Sequence, residues 1–221
     1  MPANLNNKDF ARLRELITGE FGIKMPDVKR IMLQSRLQKR VDDSGHTNFS
    51  DYIDYVFSKK GMEEEVMHMI DAVSTNKTDF FRENEHFDYL VNTLLPDLCP
   101  YGKRGNLKFW SAGCSSGEEP YSLAIVLAEY RIRNPLIDFL VYGTDISIPM
   151  LKTAIQAIYK VDRIATIPLE LKTKYFLHPK NREDKKVKIA PELREKVVFS
   201  RLNLIDEYYP TPFVFDVVFC R

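Results

Sequence analysis

The sequence predicts an α/β protein in which a small helical domain precedes a doubly wound parallel sheet. Residues 1–75 place apolar side chains at three- and four-residue steps and carry no strand signal. From residue 107 onward, short apolar runs alternate with longer amphipathic segments, which is typical of parallel strands joined by helices. We therefore expect a helical domain over residues 1–75, a linker over 76–106 and an α/β domain over 107–221.

The composition excludes several classes of protein. The 221 residues are 44% hydrophobic and 12% aromatic, which does not fit an intrinsically disordered chain. Lys and Arg number 32 against 31 Asp and Glu, so a net charge of +1 gives no bulk attraction to nucleic acid or to an anionic membrane. No apolar run approaches the roughly 18 residues of a membrane span, and the N-terminus lacks a signal-peptide pattern. Three cysteines without CxxC spacing and four scattered histidines predict neither disulfides nor a metal site, so a cytoplasmic location is expected.

Helix boundaries in the first 75 residues follow from capping and breaking residues. An early helix has its apolar face at Phe10, Leu13, Leu16 and Ile17. Another is expected to begin near Pro26, since proline is tolerated in a first turn, and to run to about Val41. Asn48 or Ser50 is expected to cap the next helix, and Gly61 to separate it from the last one.

Charge is sorted along this helical region. Residues 22–41 carry six basic side chains against one acidic, whereas residues 42–71 carry eight acidic side chains against two basic. Lys29, Arg36 and Arg40 are seven and four residues apart, so they share one helical face. The residues alone leave two interpretations open: a solvated face paired with the acidic neighbour, or a docking surface for an acidic partner.

The second half of the chain is predicted as alternating strands and helices. Strands are expected at 107–112, 138–144, 196–204 and 215–220, the last of them buried, with helices at 120–132 and 150–159. The polar, lysine-rich stretch 161–195 interrupts this alternation. It predicts a small inserted antiparallel β-subdomain, and a disordered loop is the alternative at this length.

The turn after the first strand, WSAGCSSGEEPY at 110–121, is the best-defined candidate site. Its small residues let a ligand approach the backbone, and the following helix presents unpaired N–H groups. Asp145 ends the next strand, where a carboxylate can accept both hydroxyls of a ribose. Glu118 and Glu119 suit the positive end of the helix dipole but would repel a phosphate. We therefore expect an uncharged or cationic nucleoside cofactor.

A second candidate lies at 74–84, with the sequence STNKTDFFREN. Asn76 and Thr78 are polar, and Arg82 offers a fork of donors for a carboxylate. The alternative is an interdomain linker with a capping pair and a structural arginine, which the pattern alone slightly favours.

Five segments together resemble one enzyme family. They are NKTDFFRE at 76–83, SAGCSSGEEPYSLA at 111–124, YGTDIS at 142–147, RLNLID at 201–206 and FDVVFCR at 215–221. In this order they resemble the chemotaxis receptor glutamate methyltransferases, which transfer a methyl group from S-adenosylmethionine (SAM) to receptor glutamates. The resemblance covers the chain from about residue 20, and the first two motifs in this order are highly specific.

The resemblance implies a set of cofactor-binding residues. This set is Asn76, Thr78, Arg82, Ala112, Gly113, Glu118, Glu119, Asp145, Asn203, Leu204 and Arg221. Within it, Arg82 would meet the methionine carboxylate and Asp145 the ribose. Asn203 and Leu204 would lie beside the adenine. Of the two glutamates, Glu119 is slightly favoured as the cofactor contact.

The resemblance also implies partners. Lys29, Arg36, Lys39 and Arg40 would face the helical bundle of the receptor, which favours the docking interpretation. The 161–195 insertion matches a β-subdomain that in some members binds a peptide at the receptor C-terminus. The family continues beyond the position of Arg221, so a truncated chain is expected.

The expected chemistry needs no general base. A glutamate carboxylate has a pKa of about 4.3 and is already ionised at neutral pH. We therefore expect positioning residues and no catalytic acid–base pair, with Arg82 the nearest candidate for a catalytic group. A non-catalytic signalling module and a methyltransferase for nucleic acid or a small molecule are the alternatives. The basic stretch 22–41 has one aromatic, Phe21, at its edge, which argues against a nucleic-acid substrate.

Overall fold

The computed structural model describes residues 4–100, 105–181 and 184–221. The chain forms two compact units. The first runs to Thr75 and includes Asn203–Tyr208; the second comprises Asn76–Leu202 and Tyr209–Arg221. Within the described ranges, no helix is long and apolar enough to cross a membrane.

The first unit is helical, as predicted. Its elements are α1 (Asn7–Phe21), a 3-10 turn (Asp27–Lys29), α2 (Arg30–Asp43), α3 (Phe49–Val56), α4 (Lys59–Glu64) and α5 (Val66–Val73). Its core contains fully buried apolar side chains, among them Leu13, Ile17, Leu33, Leu37, Ile53 and Ile70. Of the two predicted caps for α3, Asn48 is the one used, because its side chain accepts the Asp51 N–H at 2.9 Å.

The structure corrects the predicted role of Gly61. We expected it to separate two helices, but it lies buried inside α4. Ser58 caps that helix instead, since its hydroxyl accepts the Gly61 N–H at 3.0 Å. A side chain at position 61 would overlap the Tyr55 carbonyl oxygen, so glycine is required by close packing against the end of α3.

The second unit begins with residues 76–106, which we expected to be a linker. They contain α6 (Glu85–Tyr89), a π-helical turn (Leu90–Leu94) and α7 (Leu95–Leu98). Phe87, Leu90 and Leu95 are buried in the core of this unit, so residues 85–98 are part of its packing. Residues 101–104 of the predicted linker lie outside the described residues.

The remaining elements follow in chain order. They are β1 (Gly105–Ala112), α8 (Glu118–Arg133), β2 (Ile137–Asp145), α9 (Ile148–Gln156), β3 (Ile158–Lys160), a 3-10 turn (Val161–Ile164), α10 (Leu169–Tyr175), β4 (Phe176–Leu177), β5 (Lys186–Ile189), α11 (Pro191–Arg194), β6 (Val197–Arg201) and β7 (Val217–Cys220).

A four-stranded parallel sheet in the order β6-β2-β1-β7 confirms the predicted fold class. Ala112 lies opposite Thr144 and Cys220 in the register, so three strands end at the same edge. In the described part of the chain β7 is an edge strand, and Val218 is half exposed rather than buried as predicted. The common carboxyl edge is where parallel sheets bind their ligands.

The insertion forms a small antiparallel sheet in the order β3-β5-β4, which confirms the predicted β-subdomain. It begins earlier than expected. The helix predicted to reach residue 159 ends at Gln156, because Ala157 takes a left-handed conformation with φ of 54°. Residues 182–183 of the predicted insertion lie outside the described residues.

Candidate cofactor site

A tight loop of residues 113–117, here the glycine loop, follows β1 at the carboxyl edge of the sheet. Three of its residues have positive φ: Gly113 (82°), Ser115 (49°) and Gly117 (96°). The N–H groups of Gly113 and Cys114 both donate to the Thr144 carbonyl oxygen at 2.8 Å. These bonds fold the loop over the end of β2, close to Asp145.

The two glycines of this loop serve different purposes. A Cβ on Gly113 would have no atom within 4 Å, so the backbone there faces open space. A Cβ on Gly117 would lie 2.8 Å from the Ala154 Cβ and 2.9 Å from the Tyr159 hydroxyl. Gly117 is therefore required for packing, whereas the space at Gly113 is available to a ligand that lies over the loop.

Asp145 lies at the end of β2 and is mostly buried. Its Oδ2 accepts the Ser115 N–H at 2.7 Å, and its Oδ1 accepts the Ser147 N–H at 2.9 Å. Each carboxylate oxygen can accept a further hydrogen bond. The carboxylate is therefore held rigidly with capacity left for two hydroxyls, which fits the predicted contact with a ribose.

Residues 76–83, here the motif loop, contact the glycine loop and the start of α8. The Ser115 hydroxyl donates to the Asn76 carbonyl oxygen at 3.1 Å, and the Phe81 N–H donates to the Ser122 hydroxyl at 2.9 Å. The two candidate motifs, some 30 residues apart in the chain, thus lie side by side as the resemblance implies.

Arg82 occupies a strained part of the motif loop. Phe81 and Glu83, on either side of it, both have φ of 53°, which is unfavourable for residues with a side chain. The Arg82 side chain is nearly half exposed; its Nη1 donates to the Lys77 carbonyl oxygen at 3.2 Å, and its Nε lies 3.5 Å from Glu83. These contacts leave donors free for a carboxylate ligand.

Glu118 is almost completely buried, with 2% of its surface exposed. Its Oε1 lies 2.6 Å from Nη2 of Arg163, and its Oε2 accepts the Ser116 hydroxyl at 2.6 Å. Both oxygens of this carboxylate therefore have protein partners.

Glu119 is paired in the same way with a different arginine. Its Oε1 accepts the Ser111 hydroxyl at 2.7 Å, and its Oε2 lies 2.6 Å from Nη2 of Arg221. Because each buried glutamate is neutralised by an arginine, the predicted repulsion of a phosphate is weaker than the sequence suggests.

Two other ionisable groups packed around the glycine loop are held neutral. Burial, reinforced by the negative charge of Asp145, raises the pKa of the Cys114 thiol well above its usual value. Burial also raises the pKa of the Tyr159 hydroxyl, which donates to the Ser116 carbonyl oxygen at 2.8 Å. At neutral pH Cys114 is thus an inert thiol and not a nucleophile.

Two predicted adenine contacts, Asn203 and Leu204, belong to the first compact unit. The Asn203 side-chain amide donates to the Glu20 carbonyl oxygen at 2.8 Å, and Leu204 is 41% exposed. Their contact with an adenine stays a prediction. Ala112, predicted to lie under the cofactor, is buried at the end of β1.

Two of the predicted docking residues have partners inside the first unit. Nη1 of Arg36 donates to the carbonyl oxygens of Val73 (2.7 Å) and Ser74 (2.8 Å) at the end of α5. Arg40 pairs with the buried Glu65 through two nitrogens, at 2.8 and 2.6 Å. For these two arginines the geometry favours internal pairing over docking.

The two lysines of the predicted docking set differ from the arginines. The Lys29 ammonium donates to the Lys24 carbonyl oxygen at 3.1 Å and is partly exposed, while Lys39 is exposed. Both charges remain accessible to a partner.

Sequence reasoning missed the residues that support the site. Ser111 bonds to Glu119, and Ser122 bonds to Phe81 of the motif loop. Arg163 bonds to Glu118, which is 45 positions away in the chain. No spacing rule connects an arginine in a polar insertion to a helix start. The serines stand inside the quoted motif, but their partners are visible only in three dimensions.

Comparison with known protein families decides the identity. Residues 76–221 match the model described as CheR methyltransferase, SAM binding domain, and residues 8–74 match the CheR methyltransferase, all-alpha domain. The chain belongs to the CheR methyltransferase family. It is therefore a SAM-dependent methyltransferase of the chemotaxis type, and the predicted cofactor is confirmed.

Curated relatives of this CheR chain are named chemotaxis protein methyltransferases. It is 38% identical over 222 residues to the chemotaxis protein methyltransferase of Borreliella burgdorferi, which covers 99% of this chain and 77% of the relative. The chemotaxis protein methyltransferases of Salmonella typhimurium and Escherichia coli are each 33% identical over 219 residues, covering 98% of this chain and 73% of each relative.

The residues present fit the methyl donor. The open space at Gly113 leaves room for a ligand against the backbone, and Asp145 has acceptor capacity for ribose hydroxyls. Arg82 has donors for the methionine carboxylate. The individual contacts of these residues with SAM stay predictions.

Proposed function

We propose that this CheR methyltransferase transfers a methyl group from SAM to glutamate side chains of chemotaxis receptors and forms glutamyl methyl esters. One observation carries the proposal: the motif loop is hydrogen-bonded to the glycine loop and to α8. This places Arg82, Gly113 and Asp145 in the same unit around one edge of the sheet. The relatives are chemotaxis protein methyltransferases, which supports the choice of a receptor as substrate.

The reaction demands little acid–base chemistry. Bound SAM supplies a methyl group on a positively charged sulfur; the new bond joins this carbon to a glutamate oxygen, and the C–S electron pair stays on sulfur. Because the glutamate is ionised at neutral pH, no proton has to be moved.

The chain's own residues therefore bind and orient the cofactor. Arg82 holds the carboxylate of the methionine part, and Asp145 holds the ribose hydroxyls. Holding the reacting atoms in line lowers the activation free energy by up to roughly 7–11 kcal/mol. We assign no catalytic acid or base.

We propose that the first unit supplies a docking surface for the receptor's cytoplasmic helical bundle and that the enzyme acts in the cytoplasm. Lys29 and Lys39 are accessible charges on it, and the side chains of Val28 and Ile31, which lie close to Lys29 in the sequence, are more than four-fifths exposed. An apolar patch next to lysines fits a helix that carries both apolar and acidic side chains.

The β-subdomain offers a second contact with the receptor. A hollow of about 1440 Å³ in it is lined by Lys160, Lys172, Lys180, Lys185 and Lys186, with Asp162 and Asp184 as the acidic members. The lysine excess suits an acidic segment, and we propose the receptor's C-terminal peptide as its occupant.

Methyl transfer from labelled SAM to a purified receptor cytoplasmic fragment tests the function. We expect base-labile label on the wild-type fragment and none on a fragment whose acceptor glutamates are alanine. The Asp145→Asn variant should lose transfer in parallel with SAM affinity.

Two results would contradict the proposal. SAM binding without transfer to any receptor fragment would favour a non-catalytic signalling module. Label that is stable to base, or that appears on nucleic acid or a small molecule instead, would favour a different acceptor.

A further inference from the structure

Arg163 lies in the 3-10 turn after β3 and bonds to acceptors on two separate segments of the cofactor site. Its Nη2 contacts the carbonyl oxygen of Thr78 and lies 2.6 Å from Oε1 of Glu118. Its Nη1 lies 2.9 Å from Oδ1 of Asp79. One guanidinium thus joins the motif loop to the first turn of α8.

We propose that Arg163 is a positioning residue for SAM binding, which fixes the motif loop in the conformation that places Asn76, Thr78 and Arg82. The inference rests on the SAM site of this family and is independent of which substrate accepts the methyl group. Arg163 itself need not touch the cofactor.

The motif loop requires such a support. Its strained residues Phe81 and Glu83 keep their conformation only if the surroundings hold them. Ser115 bonds the Asn76 carbonyl at one end, and Ser122 bonds the Phe81 N–H towards the other. Arg163 holds Thr78 and Asp79 between these two points.

An arginine is well suited to this position. Its planar guanidinium presents five donors in fixed directions, so it can serve a carbonyl and two carboxylates at once. A lysine ammonium could neutralise the buried Glu118 but has no rigid fork to reach all three acceptors.

The surrounding β-subdomain also supports the glycine loop and the motif loop. The Tyr159 hydroxyl bonds the Ser116 carbonyl, and the Phe80 ring packs edge-on against the rings of Tyr159 (5.0 Å) and Phe176 (5.4 Å). The insertion is therefore part of the cofactor site's framework as well as a candidate partner surface.

A test has to separate positioning from simple charge compensation. Removal of Arg163 leaves the buried charge of Glu118 without its arginine, which destabilises the fold whatever else it does. Arg163→Met combined with Glu118→Gln removes both charges, and such a neutral pair is tolerated. The double variant should recover stability but not the link to Thr78.

The experiment measures SAM affinity by titration calorimetry and stability by thermal unfolding, on the full chain. We expect Arg163→Met to weaken SAM binding about tenfold and to lower Tm. The double variant should unfold near the wild-type temperature yet bind SAM about tenfold more weakly than Glu118→Gln alone. The SAM affinity of Arg163→Lys should lie between those of the wild type and Arg163→Met. In the double variant, amide hydrogen exchange at residues 76–83 should be faster than in Glu118→Gln.

Arg131→Met is the matched control, because Arg131 forms an ion pair with Asp138 (3.3 Å) near the end of α8 and contacts neither loop. It should leave SAM affinity unchanged. If the double variant binds SAM as tightly as Glu118→Gln, Arg163 only compensates a charge and the proposal is wrong. Should Arg163→Met fail to fold, the double variant and Arg163→Lys decide.

Failure of this inference can be distinguished from failure of the proposed function. A wild-type chain that does not bind SAM would overturn the site and this inference together. Normal SAM binding without receptor methylation would contradict only the proposed substrate.

Discussion

Arg221 and Glu119 form a two-pronged ion pair across the carboxyl edge of the sheet. Nε and Nη2 of Arg221 lie 2.7 and 2.6 Å from Oε2 of Glu119, and both side chains are at least 85% buried. The remaining nitrogen, Nη1, donates to the Arg82 carbonyl oxygen at 2.7 Å and lies 3.2 Å from Glu83. Arg221 thus holds the backbone of Arg82, and its expected contact with SAM stays a prediction.

This ion pair predicts strong coupling in a double-mutant cycle. Glu119→Gln and Arg221→Met should each lower the free energy of unfolding by about 2–3 kcal/mol, because each deprives a mostly buried charge of its closest partner. The double variant should lose clearly less than the sum, which denaturant titration measures. Additive losses would show that the two side chains act independently.

A second prediction concerns the open space above Gly113. Gly113→Ala should weaken SAM binding about tenfold or more, because its Cβ would project where the ligand lies over the loop. The positive φ also adds strain of about 1–2 kcal/mol.

Gly45→Ala is the matched control for that strain. Gly45 has a similar φ of 76° and open space at its Cβ, but it lies in the first unit. Both variants should lose similar stability, and only Gly113→Ala should lose SAM affinity in calorimetry. If Gly113→Ala and Gly45→Ala bound SAM equally tightly, the cofactor would not lie over Gly113.

A third prediction separates structural from docking residues on α2. Arg40→Met should lower the free energy of unfolding by about 2–3 kcal/mol, because the buried Glu65 loses its arginine and keeps the neutral Tyr52 hydroxyl, at 2.9 Å, as a partner. Lys39→Ala should change stability by no more than about 0.5 kcal/mol and should weaken binding to a receptor fragment. Unchanged receptor binding by Lys39→Ala would remove this lysine from the docking surface.

The fourth prediction is a pH dependence at the start of β2. The hydrogen bond from Lys196 to Asp138, at 2.7 Å, lowers the pKa of the Asp138 carboxyl below its usual value. A lowered pKa stabilises the fold above the unfolded-state value of about 3.9, and this gain is lost as the pH falls through the folded-state value.

Asp138→Asn should therefore be less stable than the wild type near pH 7, and the difference should vanish towards pH 2. The effect should stay below about 1 kcal/mol because Asp138 is half exposed and screened by solvent. Unfolding at a series of pH values measures it. Lys196→Met is expected to reduce the same dependence, and the remainder comes from Arg131 and the Phe139 N–H. A difference that grows at low pH would contradict the assignment.

Local patterns were sufficient for the parallel sheet, because strand and helix periodicity lies in short stretches of sequence. For residues 161–195 they left a disordered loop open, and the structure decides for the β-subdomain. Predictions from local patterns were wrong where tertiary packing determines the role of a residue. Gly61 looked like a helix breaker, yet it lies inside a helix that needs close approach to Tyr55. Residues 76–106 looked like a linker, yet Phe87 and Leu90 belong to the core.

The sequence by itself determined the family and its cofactor, since the five motifs resemble those of a known family, and it marked Asp145 as a candidate, since this residue ends a predicted strand. Only the tertiary structure decided the partners of the charged residues. Arg163, Arg40 and Arg221 meet their carboxylates across 45, 25 and 102 positions of chain. Pairing over such separations depends on how the backbone folds back on itself, and no local spacing in the sequence encodes it.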